Sequence, residues 1–143
     1  MSIKLTPYLV FDGNAREALA FYEEALQGRI TGIMKFKDMP ENPDHPLPDE
    51  MKDRIMHAQL KAGEADIMFS DSYPGMSLKQ GENVQLAILP DDEETAQHIF
   101  DALAAEGETI MPLQKTDWSP VYGQVKDKFG ITFQINVDEE PSS

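Results

Sequence analysis

The sequence predicts an α+β fold in which a strand, a helix and three further strands occur twice along the chain. Three observations support this prediction: two segments have the apolar spacing of amphipathic helices, each follows an extended apolar segment, and the two halves align with each other. Phe21 in the first helical segment aligns with Ile99 in the second, an offset of 78 residues along the chain. We therefore expect one domain, 1–143, with modules at about 1–72 and 83–138 and an acidic tail at 139–143.

The first helix is predicted within DGNAREALAFYEEALQGR, where apolar side chains recur at every third or fourth position. Asn14 followed by Glu17 forms a capping-box pattern at its start. Gly28 stands where a left-handed residue commonly ends a helix. We therefore expect a helix of about three turns that buries one face.

The second helix is predicted within PDDEETAQHIFDALAAEGE by the same apolar spacing, with Asp91 or Asp92 as its cap and Gly107 at its end. Apolar runs bounded by turn residues, such as those of GEAD and KDKFG, predict four strands in each half. The predicted strands are 4–11, 29–37, 54–62 and 65–71 in the first module and 83–89, 108–115, 121–126 and 130–137 in the second.

The two modules differ mainly by an insertion, DMPENPDHPLPDEMKD, which is rich in proline and acidic residues and is predicted to be an exposed loop. It contains His45, which we expect to be solvated, as most loop histidines are. A second polar segment, SDSYPGMSLKQGEN, joins the modules. Its sequence fits either a linker or a lid over a ligand.

Composition excludes several classes of function. The chain has 143 residues and no cysteine, so it has no disulfide, thiolate metal site or cysteine nucleophile. Its formal net charge of −14 argues against nucleic-acid binding and favours either simple solubility or the attraction of a cationic ligand. Neither a membrane span nor a leader peptide is predicted, so we expect a cytoplasmic protein without a membrane partner.

The last predicted strand, KFGITFQINV, alternates between polar and apolar side chains. Thr132, Gln134 and Asn136 share one face, because successive strand residues point to opposite sides of a sheet. These uncharged groups face either solvent or a ligand pocket. The alternation by itself leaves both possibilities open.

Four further residues have side chains suited to a binding or catalytic site. His57 lies on the third predicted strand, where it faces solvent or, if it turns inward, serves as an acid or base. Ser70 ends the fourth strand as a pocket candidate, whereas Asp71 is expected to cap the following turn. Trp118 and Tyr122 either pack in the core or stack on a planar or cationic ligand.

Three segments, PYLVFDGNAREALAFYEEALQG, IMHAQLKAGEADIMFSD and WSPVYGQVKDKFGITFQINV, span nearly the whole chain. Together they resemble the PhnB-like (demethylubiquinone methyltransferase-like) branch of the vicinal oxygen chelate superfamily, which includes glyoxalase I, bleomycin-resistance and fosfomycin-resistance proteins and extradiol dioxygenases. The resemblance implies a glyoxalase/bleomycin resistance-like fold, in which eight strands form a cup-shaped mixed sheet around one pocket. It also implies a homodimer.

Metal-using members of the superfamily place His, Gln or Glu ligands on the first, fourth, fifth and eighth strands. Matching strand to strand puts Pro7, Met68, Gln85 and Gln134 at these positions. Neutral amides, a thioether and a proline ring are poor ligands for a divalent metal, so neither a metal nor another cofactor is expected. Strand parity with these positions, together with the two aromatic residues, predicts the pocket lining: Met68, Ser70, Gln85, Ala87, Trp118, Tyr122, Thr132, Gln134 and Asn136.

The resemblance and the residues together predict a protein that binds a small organic molecule, a cationic one included, without a metal ion. The alternative is a lyase or isomerase-type enzyme that either uses a metal with unusual ligands or uses His57 as acid or base. A structural or regulatory interaction module is the third hypothesis. Methyl transfer is not expected, because the sequence lacks a Gly-rich turn after a strand that would hold a nucleotide-type methyl donor.

Overall fold

The computed structural model describes residues 3–40, 43–44, 46–73, 78–117 and 119–137. The predicted acidic tail, His45 and Trp118 lie outside these residues. The order of strand, helix and three strands occurs twice, as predicted. The main elements are β1 (Tyr8–Phe11), α1 (Ala15–Ala25), β2 (Arg29–Lys35), β3 (Ile55–Ala62), β4 (Ala65–Asp71), β5 (Leu86–Ile88), α2 (Glu93–Ala104), β6 (Glu108–Gln114), β7 (Val121–Lys126) and β8 (Thr132–Val137). Within the described part of the chain, two 3₁₀ helices, Phe36–Asp38 and Asp49–Met51, lie between β2 and β3. The second buries Met51, so the prediction that the whole insertion is an exposed loop is wrong there.

The chain divides into two compact units, Met1–Lys79 and Gln80–Ser143, each with one four-stranded mixed sheet. The strand order is β1-β4-β3-β2 in sheet 1 and β5-β8-β7-β6 in sheet 2. The β1–β4 and β5–β8 pairs are parallel, whereas all other neighbours are antiparallel. The eight predicted strands therefore form two sheets of the same topology. That both modules belong to one domain stays a prediction.

Each sheet packs one face against the helix of its own unit. In sheet 1, Leu60 and Phe69 are fully buried beside α1, and the Phe69 ring centroid lies 5.7 Å from that of Tyr22. In sheet 2, Phe133 and Ile135 are buried on the face that α2 covers. Burial of one such apolar side chain contributes about 1.5–3 kcal/mol to the free energy of unfolding. Because the fully buried side chains lie between each helix and its sheet, these contacts form the main core of each unit. Within the described residues, neither helix is long and apolar enough to cross a membrane.

Strands β1 and β5 are shorter than the sequence predicted, and both are edge strands. The predictions were 4–11 and 83–89, but regular pairing covers only Tyr8–Phe11 and Leu86–Ile88. Leu5 is 95% exposed and Val84 is 74% exposed, so the apolar patterns that predicted longer strands continue into unpaired backbone. The homodimer that could cover such edges stays a prediction.

The start of α1 is capped by a carboxylate from another strand. Asn14 occupies the predicted N-cap position, but its side chain makes no cap hydrogen bond, so only the predicted side-chain cap by Asn14 is wrong. Asp71, at the end of β4, instead accepts hydrogen bonds at Oδ1 from the backbone N–H groups of Gly13 (2.8 Å) and Ala15 (2.9 Å). Its Oδ2 accepts another from Ile55 N at 2.9 Å. Asp71 therefore joins β4 to α1 and β3, a role the predicted turn cap did not include.

The left-handed residues that end the two helices are not glycines. Gln27 has a φ of 53° and Glu106 has a φ of 60°, whereas Gly28 and Gly107 have no positive φ. The predicted left-handed position is therefore wrong by one residue in each module. Both glycines instead lie where a Cβ atom would overlap a backbone carbonyl oxygen of a neighbouring strand. The close approach of backbone, not a strained φ, excludes a side chain there.

Asp92 is the N-cap of α2, and its Oδ1 accepts a hydrogen bond of 2.7 Å from Thr95 N. Of the two cap candidates in the sequence, Asp91 and Asp92, the structure selects Asp92. The bond from the Thr95 N–H stabilises the ionised carboxylate and lowers the pKa of Asp92 below its ordinary value of 3.8. The ionised Asp92 carboxylate therefore stabilises the folded protein above its ordinary pKa. This contribution is lost as the pH falls through the lower pKa of the folded state.

Candidate functional site

Strand β8 separates polar from apolar side chains. Phe133 is 2% exposed and Ile135 0% exposed on the face that α2 covers, whereas Gln134 and Asn136 lie on the opposite face. The β7–β8 register places β7 side chains next to them on that opposite face. We call this surface the amide face of sheet 2; it comprises Gln85, Ala87, Tyr122, Gln124, Lys126, Thr132, Gln134 and Asn136.

Two side-chain hydrogen bonds hold the middle of the amide face. Gln134 Nε2 donates to Gln85 Oε1 at 2.9 Å, and Gln124 Nε2 donates to Tyr122 Oη at 2.8 Å. The sequence had not identified Gln124 as a site residue, although its alternation with Tyr122 in VYGQVK would have placed both on one face. Stacking of Trp118 and Tyr122 on a planar or cationic ligand stays a prediction, and Trp118 lies outside the described residues.

A second polar surface lies on sheet 1, opposite α1. The register places Tyr8 and Gln59 on either side of Met68, and the pairing of Ala58 with Phe69 puts His57 beside Ser70. We call this surface the histidine face; it comprises Tyr8, His57, Gln59, Met68 and Ser70. The sequence left the direction of His57 open, and sheet 1 places it on the face of Met68 and Ser70, away from the helix.

Tyr8 and His57 are in contact on the histidine face. Tyr8 Oη lies 3.5 Å from His57 Nδ1, and the two ring centroids are 5.9 Å apart. Tyr8 was not among the candidates from the sequence, because it is far from His57 in the chain and only the β1–β4–β3 order brings the strands together. The contact places a phenol and an imidazole, two groups able to exchange protons, next to each other.

The four positions that the family resemblance matches to metal ligands, Pro7, Met68, Gln85 and Gln134, bear neutral groups in this chain. In sheet 1, Pro7 O accepts a hydrogen bond of 3.0 Å from Met68 N, as part of the strand pairing. In sheet 2, the amides of Gln85 and Gln134 are bonded to each other. No group of three or more His, Cys, Asp and Glu in the described part of the chain could hold a metal ion.

Comparison with known proteins identifies the relatives of this chain. Residues 3–136 match the model of the family described as 3-demethylubiquinone-9 3-methyltransferase. Protein YjdN of Escherichia coli (strain K12) is 34% identical over 140 residues, which cover 93% of this chain and 94% of that protein.

Solved structures agree with this match. The crystal structure of protein PA1353 from Pseudomonas aeruginosa is 34% identical, with a TM-score of 0.84, and the match covers 97% of this chain and 100% of that one. The putative 3-demethylubiquinone-9 3-methyltransferase, PhnB protein, from Bacillus cereus is 27% identical, with a TM-score of 0.73 and coverage of 94% and 99%. The fosfomycin resistance protein FosX of Listeria monocytogenes shares the fold, with a TM-score of 0.65 and 11% identity. That match covers 98% of this chain and 96% of FosX.

Proposed function

The chain belongs to the 3-demethylubiquinone-9 3-methyltransferase family, a PhnB-like branch of the vicinal oxygen chelate superfamily, and we propose that it binds a small organic molecule without a resident metal ion. Methyl transfer, which the family description names, is not proposed. Methyl transfer from a nucleotide-type donor would need a Gly-rich turn after a strand, and the sequence has no such turn.

The amide face is the observation that carries the proposal. Its central side chains, Gln124, Gln134 and Asn136, are only partly exposed and carry hydrogen-bonding groups. They project from the adjacent strands β7 and β8, and the opposite face of these strands packs against α2. Groups that are held by a rigid sheet lose little conformational freedom when a ligand binds them. A few well-placed polar groups on such a framework are typical of small-molecule sites.

The residues at the four matched positions do not fit a divalent metal. Gln85 and Gln134 offer only uncharged amide oxygens, and Oε1 of Gln85 already accepts a hydrogen bond from Gln134. Zinc, manganese and iron sites in proteins draw their affinity from imidazole, carboxylate or thiolate groups. A thioether at Met68 and a proline at position 7 add no such ligand. The proposal therefore includes no metal-dependent step.

The ligand-binding function is tested by screening uncharged and charged organic compounds against protein in chelator-containing buffer, with ligand-observed NMR as the readout. We expect compounds that bind the wild-type protein to bind Gln134→Ala about fivefold more weakly, because one neutral hydrogen bond contributes roughly 1 kcal/mol. Gln97→Ala is the matched control, since Gln97 is an exposed glutamine on α2, bonded to Asp101. The proposal fails if no compound binds or if the two variants bind every compound equally.

Proton transfer by His57 is the second candidate function, and the contact of His57 with Tyr8 favours it. A hydroxyl close to one imidazole nitrogen orients the ring and can relay a proton to or from it. Compounds found in the screen would then be consumed by the wild-type protein. His57→Gln would abolish this turnover while leaving ligand binding intact.

A further inference from the structure

The middle of the amide face carries no charged side chain, although the chain as a whole has a formal charge of −14. The four strands of sheet 2 contain only two charged residues, Glu108 and Lys126, which are cross-strand partners at one end of the face. Lys126 Nζ also lies 2.7 Å from Glu82 Oε1. This ion pair raises the pKa of Lys126 and lowers the pKa of Glu82, so both stay charged at neutral pH and offset each other.

The amides in the middle of this face retain hydrogen-bonding capacity. Each of the two side-chain bonds uses one N–H of Gln124 or Gln134, and an amide has two N–H groups and an oxygen with two lone pairs. Among the described residues, neither Gln124 Oε1 nor Gln134 Oε1 accepts a hydrogen bond. The two side chains are cross-strand neighbours, so they offer donors and acceptors side by side.

Such a surface discriminates against charge. A cation or anion placed on Gln124 and Gln134 would lose part of its hydration without gaining an opposite charge, which is unfavourable. An uncharged group that both donates and accepts hydrogen bonds loses less hydration and can satisfy both kinds of amide atom. The negative field of the whole chain does attract cations, but within a salt solution it is screened over about 10 Å.

We propose that the part of the ligand that contacts the amide face is uncharged and carries both a donor and an acceptor, as a primary amide or a hydroxyl group does. This inference rests on the proposed binding function and narrows its ligand class. It replaces the cationic ligand that the net charge suggested, because the one acidic residue on the strands of sheet 2, Glu108, lies at the end of this face and not in its middle.

The test uses three fluorescent probes with one aromatic scaffold: dansylamide is neutral, dansylcadaverine is cationic and dansylglycine is anionic. Fluorescence titration of the wild-type protein should give at least about tenfold tighter binding of dansylamide than of either charged probe, since one satisfied hydrogen bond and one avoided desolvation each contribute roughly 1 kcal/mol. Gln124→Glu keeps the shape of the side chain and adds one negative charge, so it should reverse the order in favour of dansylcadaverine. Gln97→Glu on α2 is the matched control and should leave the order unchanged.

Tighter binding of dansylcadaverine to the wild-type protein, weakened by Gln134→Ala, would overturn the inference and leave the proposed binding function standing. Equal binding of the three probes, or binding of none of them, also overturns it, and the compound screen then decides separately whether the protein binds organic ligands. An unchanged probe order in Gln124→Glu overturns the assignment to this face.

Discussion

Replacement of Asp71 by alanine is expected to lower the free energy of unfolding by about 3–4 kcal/mol, a large fraction of the stability of an ordinary domain. The carboxylate accepts backbone hydrogen bonds from Gly13, Ala15 and Ile55. Because Asp71 is only 3% exposed, water has little access to the N–H groups that the substitution leaves without an acceptor. Urea unfolding followed by circular dichroism measures the loss.

Two further variants separate the hydrogen bonds from the loss of a charge. Asp71→Asn removes the charge but keeps one acceptor oxygen, and its NH₂ group then faces an N–H donor, so we expect an intermediate loss. Asp12→Ala removes a nearby carboxylate whose side chain is 70% exposed and which pairs with Arg54 at 3.3 Å. We expect Asp12→Ala to change stability by no more than about 1 kcal/mol. Equal losses for Asp71→Ala and Asp12→Ala would show that the buried cap is unimportant.

The substitution Gly107→Ala is expected to lower the free energy of unfolding by about 2–3 kcal/mol, because the added methyl group overpacks its surroundings. A Cβ atom at Gly107 would overlap the carbonyl oxygen of Lys126 and would lie 3.0 Å from both Asp127 Cα and Leu103 O. All three are backbone atoms, so no side-chain rotation can relieve the contact. The end of β7 and the end of α2 would have to move apart. Thermal unfolding should detect the resulting loss of stability.

Gly32→Ala is the matched control for this prediction. Gly32 lies in β2, has no positive φ, and would place a Cβ atom with no other heavy atom within 4 Å. Alanine there should change stability by less than about 1 kcal/mol, with a small gain expected from the reduced freedom of the unfolded chain. If Gly107→Ala were as harmless as Gly32→Ala, close approach of the backbone would not be the reason for glycine at 107.

Features that depend on short sequence intervals were predictable from this sequence. The apolar spacing of α1 and α2, the turns and the alternation in β8 are local, so they gave the repeat and the opposite directions of Phe133 and Gln134. The cap of α1 was missed because Asp71 is 56 residues from Ala15. Any local rule selects Asn14, which is the N-cap residue and whose carbonyl accepts a hydrogen bond from Ala18 N, but whose side chain makes no cap hydrogen bond.

The members of the candidate site were predictable only in part, for a related reason. Thr132, Gln134 and Asn136 share a face by alternation within β8, and Gln124 shares the face of Tyr122 by alternation within β7. Only the β7–β8 register places Gln124 beside Gln134. Tyr8 reaches His57 only because β1 and β3 both flank β4. Strand order and register are long-range properties, so alternation within one segment does not give them.

Titration of metal-stripped protein with Zn(II), Mn(II), Ni(II) and Fe(II) tests the proposed metal-free function most directly. The neutral groups at Pro7, Met68, Gln85 and Gln134 predict no stoichiometric uptake at micromolar metal, in the wild-type protein or in Gln134→Ala. His57→Ala is the control for uptake by the one histidine of the histidine face. Stoichiometric uptake that disappears in Gln134→Ala would contradict the account and make a metal-dependent enzyme the better explanation.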